Sequence, residues 1–375
     1  MTKKISVNAS LDQLLSSLPV GSLERIITNN LFGFNARAKQ SAMERPKESQ
    51  GYAFFTRPFL NLSDPNVSNS RKMFSLLTSN PKSYQRYTRM MLDPSLFHAG
   101  LRCPMVNQYS AFIPILTNTL ENIAGWPDLE IPTYRSPSGL QGNQYSIADG
   151  PINQYESLDL SCTFRNVKGN PILYMMTMWV YYQMYVYEGV MNPYQFMILE
   201  REIDYNTRIY RITTNETNQF VTNIAACGAA FPISLPTGSI FDFNAEKPYN
   251  DSIADVNIRF RAMGFMFNED IIKYEFNQTQ AIFSSPMAIL LKHDMELYRD
   301  GGEVPDALAR DKIDKYYDIP SAGITKVPHH LMLVTESSPL YNTYRRLNYL
   351  MQPYINLATD ELEWWVPSNL FKLPR

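Results

Sequence analysis

The chain has 375 residues, room for two or three domains at roughly 100 to 200 residues each, and a formal charge of -2. That charge lacks the basic excess that drives phosphate binding, which sets aside a sequence-specific DNA or RNA binder. Apolar residues make up 45% and charged residues 19%, below the roughly 25% usual in soluble domains. Its 24 Tyr and 20 Phe suit contact with partners, and a large aromatic core explains them equally well.

Residues 1–50 read as an amino-terminal arm, helical and then linker, with a capping signal at Ser10 before LDQLLSSL and a polar run NARAKQSAMERPKESQ. The start MTKKISVNASLDQLL lacks the apolar stretch of a signal peptide, so secretion by that route is not expected. From Gly51, GYAFFTRPFLNL is short, aromatic and interrupted by Pro58, as an edge strand or extended crossing segment is. A helix is predicted near Lys82 to Leu92, ended by Asp93-Pro94; its Arg86 and Arg89, like Arg345 and Arg346 later, read as solvated faces. Gly139 and Gly142 in SPSGLQGN lack the strand and helix of a phosphate cradle and read as a surface turn.

The clearest strand is Leu158 to Arg165. Leu158, Leu160, Cys162 and Phe164 share one face and Asp159, Ser161, Thr163 and Arg165 the other. The pattern returns at Val256, Ile258 and Phe260, alternating with Asp255, Asn257, Arg259 and Arg261. One face stays polar in both, which indicates antiparallel pairing. Between them lies ILYMMTMWVYYQMYVY, Ile172 to Tyr187, which is uncharged and at 16 residues too short to cross a bilayer. It is a helix apolar on every side that needs cover all round, either from its own chain or from a neighbour. Then come the acids Glu200, Glu202 and Asp204, a strand from Thr207 to Thr213, a hairpin turn at Asn215 to Asn218, and a strand or bulged segment FVTNIAACGAAFPISLP. Beyond Phe276 the alternation stops and prolines divide a tail that holds one predicted helix, Ser337 to Met351, and the aromatic ELEWWVP; such a tail suits wrapping a neighbour. The order gives an α+β, mainly β fold: an antiparallel β-sandwich or barrel at 51–278 with a flanking apolar helix, and a Pro-rich extension at 279–375.

Chemistry finds little footing. Cys103, Cys162 and Cys227 have no paired spacing, which argues against a disulfide framework or zinc site and fits a reducing compartment. His98, His293, His329 and His330 have no ligand partner at metal spacing, and no P-loop, dinucleotide or serine-hydrolase motif occurs. Glu200, Glu202 and Asp204 are the densest carboxylates, and a solvated face explains them better than glycoside hydrolysis. No catalytic residue, cofactor or metal is expected.

Four stretches together resemble the tail tube proteins of contractile-tailed bacteriophages, and with them the baseplate tube initiators that share the fold. They are FIPILTNTLENIAGWPDLEIPTYRSPSGLQGNQYSIADGP, with its long loop; LDLSCTFRNVKGNPILYMMTMW, a strand ending in Phe164, a polar turn and a helix carrying Trp179; IDYNTRIYRITTNETNQFVTNIAACGAAFPISLP, running into Phe231-Pro232; and ADVNIRFRAMGFMF. The resemblance covers a little under half the chain, and it implies hexameric rings, stacked around a channel through which DNA passes during injection, in a virion assembled in the bacterial cytoplasm. It implies as partners the chain itself, sheath or baseplate proteins, and DNA without sequence-specific contact. The chain departs from ordinary tube proteins in its amino-terminal arm and its roughly 100 extra residues at the end. In such an assembly the candidate subunit contacts are Trp179, Tyr181, Tyr185, Val256, Ile258 and Phe260. The candidate channel wall is Glu200, Glu202 and Asp204, or the loop from Tyr134 to Asp149. A capsid or decoration protein, or a virion-borne glycan hydrolase, are the alternatives.

Overall fold

A computed structural model of the chain describes residues 50–97, 99–150, 156–238, 255–284, 317–318, 327–328, 331–333, 351–357 and 359–367. In chain order the strands are β1 (Gln50–Phe55), β2 (Leu120–Ala124), β3 (Thr133–Arg135), β4 (Ser146–Ala148), β5 (Leu158–Arg165), β6 (Thr207–Thr214), β7 (Val221–Ser234), β8 (Asp255–Phe267), β9 (Tyr317–Asp318), β10 (Val327–Pro328), β11 (Leu331–Leu333), β12 (Gln352–Ile355) and β13 (Leu362–Pro367). The helices are α1 (Asp64–Ser68), α2 (Tyr84–Leu92), α3 (Pro114–Thr119), α4 (Pro171–Tyr187), α5 (Gln195–Glu200) and α6 (Asp270–Ser284). The predicted helices at Ser10 and at Ser337 to Met351, and all four histidines, lie outside the described residues.

Six strands form one curled antiparallel half-barrel in the order β1-β6-β7-β8-β5-β2. The mainly antiparallel β fold with a flanking apolar helix is therefore what the chain adopts. The period of two in β5 and β8 sets their register: Leu160 faces Phe260, Cys162 faces Ile258 and Phe164 faces Val256, all buried. A slip of one residue would turn this apolar row to solvent, so the pairing has one solution. The β6–β7 hairpin turns at Asn215–Asn218, with Asn218 at positive φ and its backbone N–H on the Asn215 carbonyl.

Helix α4 covers the apolar face of this sheet. Pro171 starts it behind a left-handed Asn170, a position where the missing proline donor costs nothing. Trp179 and Tyr182 are fully buried, and the Trp179 indole donates to the Tyr205 carbonyl at 2.9 Å. The helix's other side is covered by the chain's own 70–92 region: the Tyr84 ring meets Tyr174 at 4.9 Å between centroids, and the hydroxyls of Ser75 and Tyr174 share a hydrogen bond of 2.8 Å. Cover on both sides comes from within one chain. Cys162 and Cys227 sit in this core, and Cys103 at its margin, all as free thiols.

Behind the sheet the two halves differ. At β1, β6 and β7 a second apolar cluster of Phe54, Tyr210, Ile212 and Ile224 is covered by Ile272 and Phe276 of α6 and by Ile355 and Leu362 of β12 and β13. Asn277 exchanges two hydrogen bonds with the Ile355 backbone, and Lys273 pairs with Asp360 at 2.5 Å. The tail's described strands β12 and β13 thus pack on their own chain, where the sequence pointed to a neighbour.

A buried polar frame ties the segment after β1 to the helices. Arg57 donates to the carbonyls of Met90 (2.6 Å), Met91 (3.1 Å) and Ser110 (3.2 Å). Two of these carbonyls belong to the last turn of α2, where a cation meets the helix dipole and groups with no partner inside the helix. Asp93 accepts from the backbone N–H of Leu62 (2.8 Å) and Ser95 (3.0 Å) and from the Tyr194 hydroxyl (2.7 Å). Burial, partly offset by these donors, pushes its carboxyl up to about 6.

Candidate assembly surfaces

The first surface is the pair of sheet edges. Residues 111–113 pair with residues 55–57 beyond the end of β1: Arg57 N–H donates to the Ala111 carbonyl at 2.8 Å and Ile113 N–H to the Phe55 carbonyl at 2.9 Å. The chain then turns through α3 and enters β2, which pairs with β5 on the far side of the sheet. One stretch, 111–124, therefore joins the two edge strands. Among the described residues no strand pairs with the outer side of β1 over Gln50–Ala53 or with the outer side of β2. Such rows of backbone donors and acceptors are templates for another strand.

A second surface is the polar back of β5 and β8. Asp159, Arg165, Asp255, Asn257 and Arg259 are exposed there, beside half-buried Ser161, Thr163 and Arg261. Arg261 pairs with Asp159 at 2.5 Å, and Arg165 reaches Glu121 of β2 at 2.9 Å. Three acids, Glu121, Asp159 and Asp255, thus stand against three bases, Arg165, Arg259 and Arg261. The sequence identified this face as polar; among the described residues it lacks the helix and strands that cover its neighbour.

The third surface is an arm. Residues 127–150 leave the sheet after β2, pair among the described residues only with each other as the β3–β4 hairpin, and are exposed at every position except half-buried Pro127 and buried Ser136. The tip is a turn in which Gly142 N–H donates to the Gly139 carbonyl, as the sequence reading of a surface turn expects. Tyr145 is 62% and Ile147 55% exposed, and Leu129, Ile131, Tyr134 and Leu140 join them. This apolar exposure escaped the sequence reading, although Leu129 with Ile131 and Tyr145 with Ile147 carry the two-residue spacing of strands.

Of the residues expected at subunit contacts, Val256, Ile258, Phe260 and Trp179 are at most 2% exposed and lie in the chain's own core. Tyr185 is buried with them; Tyr181 is half-buried, with the Lys72 ammonium 5.0 Å above its ring. Of the expected channel acids, Glu200 and Glu202 are exposed around the end of α5. Asp204 is 3% exposed and accepts from the Tyr182 hydroxyl, and burial raises its pKa above the usual carboxylate range. The three acids do not converge. Among the described residues no group of three or more His, Cys, Asp or Glu gathers to hold a metal ion, and no helix is long and apolar enough to cross a membrane.

A family model described as "Putative phage tail tube protein" matches residues 3–295. The chain belongs to the phage tail tube family. Membership makes it a structural component of a virion tail. Three solved structures overlap it in part. The sheath/tube terminator of an extracellular contractile injection system, PVC, in the extended state shares 16% identity over 42% of this chain and 87% of its own, at a TM-score of 0.24. The tube-terminating cap of the anti-feeding prophage shares 15% over 43% and 89%, at 0.26. The PVC sheath-tube complex in the extended state shares 19% over 42% and 82%, at 0.26. Scores this low carry no weight beyond the note of similarity. No curated protein matches the chain.

Proposed function

We propose that copies of this tail tube family member join sheet edge to sheet edge into a hexameric ring, that rings stack into a tube, and that the tube conducts DNA during injection. The observation that carries this reading is the six-stranded half-barrel with an edge strand at each end, β1 and β2. A curled open sheet removes its edges by closing with others, and the family supplies the tubular setting. The polar back of β5 and β8 is the surface that suits the channel wall. Its balanced, ion-paired charges give phosphate neither a field to bind nor an apolar face to wet. Sheath or baseplate proteins would meet the outside of such a tube, and a tube-initiating role at the baseplate uses the same ring.

The test is electron microscopy and native mass spectrometry of the purified full chain over a range of concentrations. Rings or tubes built from six-fold units support the proposal. Monomers that persist at the highest concentration, or icosahedral shells, overturn it.

A further inference from the structure

From residue 65 to residue 120 the only acid is Asp93, which is buried, and α4, which packs on this region, has none. Arg71, Lys72 and Lys82 are exposed there, and Arg86, half-buried, donates to the Thr78 carbonyl at 2.6 Å. Among the described residues none of these four cations has a carboxylate partner. Phe74 is 61% and Tyr84 49% exposed among them, so the face is basic and aromatic at once. It rests on α4: Lys72 lies over the Tyr181 ring, and Tyr84 and Ser75 both meet Tyr174.

The place where the chain leaves α6 bears on what covers this face. The Phe283 ring, in the last turn of α6, has its centroid 5.3 Å from that of Phe59 and 5.8 Å from the guanidinium carbon of Arg57. Arg57 in turn donates to the carbonyls of Met90 and Met91 at the end of α2. The chain therefore departs beside one end of α2, and Lys82 and Tyr84 stand at the other. α2 has nine residues and rises about 13 Å, whereas the stretch from Phe283 to Asp294 reaches up to about 36 Å when extended. Next in the sequence comes the acidic run DMELYRDGGEVPD, 294–306, in which Asp294, Glu296, Asp300, Glu303 and Asp306 stand against Arg299 alone. Met295, Leu297 and Tyr298 are interleaved with its first acids. Only its first two residues fall inside the family match.

We propose that residues 294–306 dock across the 71–86 face of their own chain, acids against Arg71, Lys72, Lys82 and Arg86, and Met295, Leu297 and Tyr298 against Phe74 and Tyr84. Reach, sign of charge and the mixture of acidic with apolar side chains all select this occupant. Nucleic acid would match the charge and leave the tail's apolar residues without a partner. The docked segment neutralises a surface that would otherwise attract phosphate. The contact lies within one chain, so it goes beyond the ring proposed above, and its failure leaves that ring untouched.

Two measurements on the full chain test it. In the first, ordinary and heavy-isotope chains are mixed in equal amounts and treated with a carbodiimide, which joins a lysine amine to a carboxylate in contact with it. Links from Lys72 or Lys82 to acids of 294–306, within chains of one isotope, are expected. Absence of such links overturns the proposal, and so do links that join ordinary to heavy chains, which place the segment on a second copy. In the second, hydrogen exchange of residues 294–306 is followed in the wild type, in a face reversal (Arg71→Glu, Lys72→Glu and Lys82→Glu together), in a tail reversal (Asp294→Lys, Glu296→Lys and Asp300→Lys together) and in both combined. The altered face side chains are exposed, and circular dichroism checks that each variant folds. Each reversal alone is expected to speed exchange in the segment about tenfold, because like charges then meet, and the combined variant is expected to recover most of the protection. Exchange unchanged by both single reversals, or faster exchange with no recovery in the combined variant, overturns the docking. If the wild-type chain retards a labelled DNA duplex, and the face reversal abolishes that retardation while exchange in 294–306 stays the same, the face is a nucleic-acid surface and the proposal fails.

Discussion

Asp93 shows what a single buried carboxyl does to this molecule. In the unfolded chain it ionises near 3.8, and in the folded chain near 6, with burial as the main cause. Between those values the folded state holds a proton that the unfolded state has released, so this group's contribution to stability falls as pH rises through the window from about 4 to about 6 and is flat above it. The full span is about 3 kcal/mol, taken from a shift of roughly two pKa units. Asp93→Asn removes the titration. Urea unfolding at pH 4.5 and pH 7 should therefore show the wild type gaining on the variant as pH falls, and a constant difference between them would exclude the burial described for Asp93. The same residue marks a limit of sequence reading. Asp93-Pro94 is legible as a helix stop, but its role as acceptor for Leu62, Ser95 and Tyr194 depends on partners up to 101 residues away. Asp204 is the matching case: its neighbours Glu200 and Glu202 made it look like one of a solvated row, and only the fold puts Tyr182 against it.

At the scale of elements, the strongly periodic pieces were legible and the short, context-held ones were not. β5, β6, β8, α2 and α4 follow from spacing that one segment carries by itself. The short helices α1, α3 and α5, and β2 as a separate edge strand, carry too few residues for a period and exist because tertiary partners hold them. α6 is hidden for another reason: its apolar face, Ile272 and Phe276, has meaning only once β12 and β13 lie over it. The end of β2 makes a direct test of how elements meet. Gly125 has φ +101, and a Cβ placed there would come within 2.4 Å of the Asp159 carbonyl oxygen. Gly125→Ala combines a strained backbone with a clash against backbone atoms of β5, and should lower stability by about 2 kcal/mol or more. Thermal unfolding checks this; a variant as stable as wild type would show that β2 does not approach β5 so closely.

Among the described residues, the molecule is an open sheet with one half covered front and back and the other half bare behind, carrying a largely exposed arm. A reading of composition alone sees low charge and many aromatics and cannot divide them between core and contact surface. The structure divides them: the apolar helix and the β8 row belong to the core, and Leu129, Tyr145, Ile147, Phe74 and Tyr84 to the outside. If folding and association are coupled, apparent stability must depend on how much protein is present, since binding to the folded form alone shifts unfolding by mass action. Melting temperature should therefore climb as protein concentration is raised a hundredfold. A melting point fixed across that range would mean that the lone chain is the stable unit. The free thiols bear on a different stage of such a particle's life. A virion tail component is exposed to air-saturated surroundings outside a cell. Cys162 and Cys227 lie sealed beneath α4, burial holds the Cys227 thiol up at about 12, and neither presents sulfur to an oxidant or to a sister chain. The same interior that fills the space under the helix thus keeps both thiols out of reach of oxidants in solution.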